Sequence, residues 1–107
     1  MKFKCEKYLI QNACQTASRA AASKSPIPAL EGLLISAGAG VTVTGYDLKE
    51  GIFTTFAADV EEAGSVVIEA RFLNEMLRRL PDGIVSFDCA EWNDVSERIA
   101  PALLVKV

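Results

Sequence analysis

The sequence predicts an α+β fold: two amphipathic helices lie on antiparallel sheets, built from two strand-helix-strands units. Three observations predict it. Residues 70–83 place Phe72, Leu73, Met76, Leu77 and Leu80 at helical spacing, one continuous apolar stripe. Residues 7–22 repeat the pattern with Tyr8, Ile10, Ala13, Cys14, Ala17 and Ala20 or Ala21. Most of the remaining segments alternate apolar and polar residues or are rich in β-branched ones, as strands are. Each helical stretch follows a strand directly. A faint echo marks both junctions, pairing Glu6 to Leu9 with Ala70 to Leu73.

Taken in order, Met1–Glu6 alternates Met1, Phe3 and Cys5 with Lys2, Lys4 and Glu6, a half-buried strand. The period then changes, and Ala20, Ala21 and Ala22 favour helix to the end. The polar face of this helix holds Lys7, Gln11, Asn12, Gln15, Ser18 and Arg19, with no acid on it. Pro26 and Pro28 force an extended loop. Residues 30–37 read as a strand, Gly38 to Gly40 as a turn, and 41–46 as a second strand. Asp47 to Gly51 is a tight connection in which Asp47 supports its own backbone. Residues 52–60 read as one strand, Glu61 to Gly64 as a solvated turn, and 66–69 as a strand entering the second helix. That helix stops at Pro81, which cannot extend it, and Asp82-Gly83 turns the chain. Residues 84–89 form a strand and 90–96 a loop containing Trp92. One or two strands, interrupted by Pro101, fill 98–107.

With 107 residues, half of them apolar, the sequence suits one domain over 1–107 with a core that needs no staples. Cys5, Cys14 and Cys89 are an odd number with no CxxC pair, and no apolar run approaches the ~20 residues of a membrane span. Met1 to Leu9 has no apolar h-region, so a secretory signal is not expected. A reduced, cytoplasmic protein with buried thiols is the expectation. Histidine is absent, which excludes His-dependent triads and the common zinc sets. Without a phosphate-cradling glycine loop or a metal cluster, no catalytic residue, cofactor or metal is expected.

The net charge of -3 argues weakly against nucleic acid, but the charge is segregated. Lys2, Lys4, Lys7, Arg19 and Lys24 face only Glu6 in the first 24 residues; Asp47, Glu50, Asp59, Glu61, Glu62 and Glu69 face only Lys49 in residues 46–69. The second helix carries Arg71, Arg78 and Arg79 against Glu75. A local basic surface binds phosphates even on an acidic protein.

Four stretches in this order, MKFKCEKYLIQNACQTASRA, SPIPALEGLLI, VTGYDLKEGI and Ala70–Gly83, resemble the N-terminal domain of the bacterial DNA polymerase III beta subunit, the sliding clamp. The resemblance runs from Met1 to about Asp88. It implies a DNA-clamp-like domain, two helices backed by curved antiparallel sheets. In the family three such domains form a subunit, and two subunits close head-to-tail into a ring. Helices line the hole and face double-stranded DNA, sheets form the outer wall, and the ring tethers the polymerase to its template. A slider must attract phosphates without reading bases.

Carried over by position, the resemblance puts Lys24 on a basic loop toward DNA and Arg71 and Arg78 on the second helix facing the hole. Lys7 and Arg19 join them on charge alone. Leu103, Leu104 and Val105 fall roughly where the last strand makes half of the subunit interface. The sequence departs from the pattern in stopping after one domain and in matching poorly from Ala90 onward. The second and third clamp domains, and with them the pocket for polymerase and loader peptides, are expected to be absent. The expectation is a non-catalytic processivity domain; the alternative is a truncated stand-alone relative, an interaction module with no DNA role of its own. For Arg71, Arg78 and Arg79 the plain reading is a solvated helix face whose terminal cations suit the helix dipole.

Overall fold

Phe3 and Cys5 are buried and Lys2, Lys4 and Glu6 exposed along strand β1, Lys2–Glu6, as period-two alternation requires. The chain passes directly into helix α1, Lys7–Ser18. The structure is a computed structural model that describes residues 1–21, 32–93 and 99–106, with side chains for 1–21 and 32–89. Strands β2 (Gly32–Ala37), β3 (Val41–Tyr46), β4 (Gly51–Phe56), β5 (Asp59–Glu62) and β6 (Gly64–Glu69) follow. Helix α2 is Ala70–Arg79, and β7 (Ile84–Asn93) and β8 (Ile99–Lys106) complete the order.

The strands form two antiparallel sheets, β5-β1-β7-β8 and β4-β3-β2-β6. The units interlock. Strand β1, which opens the first, pairs with β7 of the second, Cys5 opposite Val85. Strand β6, which leads into α2, pairs with β2, Ile35 opposite Val66. Neither unit closes its sheet without the other. Glu6 and Glu69 both precede a helix, and Ile10 and Leu73, Cys14 and Leu77 are both buried pairs. The echo in the sequence is therefore real but one residue out of step: Glu6 corresponds to Glu69.

A single apolar cluster joins the inner faces of both sheets to both helices. Phe3 and Phe87 stack with ring centroids 5.1 Å apart. Ile10, Leu73 and Leu77 are fully buried, each stabilising the fold by about 1.5–3 kcal/mol. Gly45 lets β3 pass close beneath α1: a Cβ there would stand 2.1 Å from the Ala17 carbonyl oxygen.

Several expectations are corrected. Residues 52–60 are not one strand: β4 and β5 lie in different sheets, and the chain crosses between them at residues 57 and 58. Glu61 and Glu62 belong to β5, where Glu61 reaches Lys4 at 3.5 Å, rather than to a turn. Residues 90–93 continue β7, and β8 runs unbroken through Pro101, which sits on an edge strand. Helix α1 ends at Ser18. The N–H groups of Arg19, Ala20 and Ala21 then bond carbonyls three residues back, a tighter turn that carries Ala20 into the core. Asp47 behaves as expected: Oδ1 accepts from the N–H groups of Lys49 at 2.9 Å and Glu50 at 2.8 Å.

Candidate nucleic-acid interface

Helices α1 and α2 pack side by side. Two polar ties hold the seam. Near the end of α1, Ser18 Oγ accepts from Asn74 Nδ2 at 2.7 Å and donates to the Cys14 carbonyl at 2.6 Å. At its start, Lys7 Nζ donates to the Leu80 carbonyl, where α2 stops, at 2.5 Å. The helices therefore run in opposite directions.

Each helix turns about 100° per residue. On α2, Arg71, Glu75 and Arg78 fall opposite the buried Leu73 and Leu77; on α1, Tyr8, Asn12, Gln15 and Arg19 fall opposite Ile10, Cys14 and Ala17. Arg71, Arg78, Arg19, Tyr8, Asn12 and Gln15 are all exposed. The two outward rows lie next to each other and carry three cations and one acid.

The cations differ in what they already hold. Arg71 makes no ion pair among the described residues. Arg78 grips both oxygens of Glu75, at 2.8 and 2.7 Å, with Arg79 at 3.8 Å from the same carboxylate. These pairs are exposed, so they hold the arginines weakly. Arg19 caps the end of α1 and is exposed.

Lys7 is the correction. It is 7% exposed, with its ammonium on the Leu80 carbonyl and 3.8 Å from Asp82. It closes the open end of α2 and does not join the outward row. The sequence held the signal: Lys7 lies three residues before Ile10 and seven before Cys14, on the buried stripe. Tyr8 corrects the opposite way. Expected on the apolar stripe, it is 58% exposed in the outward row, in step with Asn12, Gln15 and Arg19.

Lys24 lies outside the described residues. Leu103, Leu104 and Val105 have described backbone only, opposite Cys89, Asp88 and Phe87 in the edge strand β8. Among the described residues β8 has a partner on one side only.

Away from the helices, the outer face is acidic or neutralised. Lys2 reaches Asp88 at 3.8 Å and Lys4 reaches Glu61 at 3.5 Å, while Asp59 and Glu69 are exposed. Burial pushes the Cys14 thiol up to about 12, helped by Cys5, and the Cys5 thiol to about 11, helped by Glu6. Both stay protonated and unreactive near neutral pH. No three Cys, Asp or Glu side chains among the described residues converge on a possible metal site. No helix there is long and apolar enough to cross a membrane.

Residues 1–99 match the family model described as DNA polymerase III beta subunit, N-terminal domain. The beta sliding clamp of Micrococcus luteus is 37% identical over 89 residues, covering 82% of this chain and 29% of that protein. The beta sliding clamp of Synechococcus elongatus is 36% identical, over 77% of this chain and 23% of its own length. Among solved structures, the Caulobacter crescentus beta sliding clamp superposes with a TM-score of 0.85 at 27% identity, covering 99% of this chain and 27% of that one. The Bacillus subtilis clamp gives 0.80 at 26% identity, over 99% of this chain and 31% of its own. The chain thus spans under a third of the length of the relatives it matches. By its sequence, its two interlocked strand-helix units and its paired sheets, the chain belongs to the DNA polymerase III beta subunit family, over the N-terminal domain.

Proposed function

We propose that this chain is the DNA-facing N-terminal domain of a sliding clamp, a non-catalytic processivity factor that helps hold duplex DNA without sequence preference. One observation carries the reading: two helices lie side by side with Arg71, Arg78 and Arg19 outward, on a chain whose other surfaces are acidic or internally neutralised. Such a face draws phosphates and discourages binding elsewhere. Long cations on a helix face present charge but no fixed donor pattern to base edges, which suits a contact that must travel.

In this reading the domain meets other clamp subunits head-to-tail along the open edge of β8, at Leu103, Leu104 and Val105. Polymerase and loader peptides bind elsewhere in the clamp. Lys24 extends the basic face from its loop.

The test is a ring in which this domain replaces the N-terminal domain of a related clamp. Lys24→Ala combined with Arg71→Ala is expected to weaken association with duplex DNA. It is also expected to flatten the salt dependence by about 0.9 for each phosphate no longer neutralised. Unchanged affinity and slope would remove the assigned face.

A further inference from the structure

We propose that α1 meets the duplex through uncharged hydrogen-bond donors, with Tyr8, Asn12 and Gln15 contacting phosphate oxygens beside the arginines of α2. This rests on the helix-face reading above and assigns different chemistry to the two helices.

Lys7 is withdrawn from the exposed surface. With its ammonium on the Leu80 carbonyl, the outward row of α1 holds no charge before Arg19. What that row holds instead is a phenol and two carboxamides, all exposed. None of the three makes a side-chain hydrogen bond to the described residues. Helix α1 carries no acid from Lys7 to Ser18, so nothing on it repels a phosphate. In the correspondence of the two units, Tyr8 matches Arg71 and Gln15 matches Arg78. The Asn74–Ser18 tie closes the seam between the rows, so a phosphate backbone lying on one row also reaches the other.

A phenol O–H and a carboxamide NH₂ both donate to phosphate oxygens, and such contacts position a protein on a backbone without reading sequence. They also displace no counterion. They raise affinity without steepening its salt dependence, which is set by the lysines and arginines. Each is exchanged from one phosphate to the next without separating a charge pair.

The experiment titrates the ¹⁵N-labelled chain with short duplexes of two unrelated sequences at low salt. The side-chain NH₂ signals of Asn12 and Gln15 are expected to shift with both duplexes, while that of Asn74, held in the seam, stays. Asn12→Ala with Gln15→Ala is expected to weaken association by roughly two- to tenfold at unchanged salt slope. Arg71→Ala is expected to lower the slope by about 0.9. If Arg71→Ala acts and the amide variant does nothing, the neutral row is overturned and the helix-face reading stands. If neither helix responds to duplex, both are overturned.

Discussion

The ammonium of Lys7, the first residue of α1, donates to the carbonyl of Leu80, the residue at which α2 ends. A helix leaves its last carbonyls without partners, and a cation there also suits the negative end of the dipole. Lys7→Met keeps the stem and removes the charge. It is expected to lower unfolding free energy by about 1.5–3 kcal/mol in urea titrations, the range for a hydrogen bond from a charged group. Duplex association by the variant is expected to keep its salt slope. A lowered slope with unchanged stability would return Lys7 to the outward face.

Gly45 has no room for a side chain. Because a Cβ would stand 2.1 Å from a backbone oxygen of α1, Gly45→Ala forces β3 and α1 apart. The expected cost is about 1–3 kcal/mol, the range for overpacked cores. The same change at Gly38, which nothing approaches within 4 Å, is expected to cost less. Equal costs at the two positions would mean that the helix does not rest on β3 there.

The connection after β3 is also open to test. Leu48 has φ 78°, a left-handed conformation, and is 61% exposed. Leu48→Gly is expected to stabilise the fold by up to about 1 kcal/mol, the relieved backbone cost less the extra freedom of glycine when unfolded. Bonds from the Glu50 and Lys49 amides hold the Asp47 carboxyl below its usual range. A carboxyl lowered on folding stabilises above its unfolded value, and that contribution fades as pH falls through the folded one. Asp47→Asn is therefore expected to cost stability at neutral pH and progressively less in acid, read from thermal melts across pH.

The thiols predict the alkaline side. Folded Cys14 keeps its proton to about 12, whereas the unfolded chain releases it near the ordinary thiol value, about 8.5. Between those values the unfolded state binds fewer protons, so stability falls as pH rises, by up to about 1.4 kcal/mol per pH unit for this group. Cys14→Ala is expected to flatten the decline above pH ~9 by up to that amount. A decline as steep as in the parent chain would show that Cys14 does not titrate between the two states.

The helices are legible in the sequence because apolar spacing reports directly on burial. Leu73 and Leu77 of α2, and Ile10, Cys14 and Ala17 of α1, all lie where their period places them. The crossing from β4 to β5 is not legible. Residues 57 and 58 are both alanine, with no Gly, Pro or Asn to punctuate a stretch that is otherwise strand-like. The end of α1 escapes a propensity argument because alanine's preference is weak beside the close passage of β3 at Gly45. Charge and spacing agree at Arg71, whereas at Lys7 charge points outward and spacing points inward, and spacing wins. A long cation in the first turn of a helix can bury its stem and carry its charge to a neighbouring element.

The central claim is that the helix face, and not the sheet face, meets the duplex. Charge reversal on each face tests it directly: Arg71→Glu with Arg78→Glu on α2, and Lys2→Glu with Lys4→Glu on β1. The measurement is the salt dependence of duplex association for each pair in the grafted ring. The account predicts that reversal on α2 abolishes most of the association and its salt slope, while reversal on β1 leaves both close to those of the parent. A slope lost on β1 and kept on α2 would contradict it.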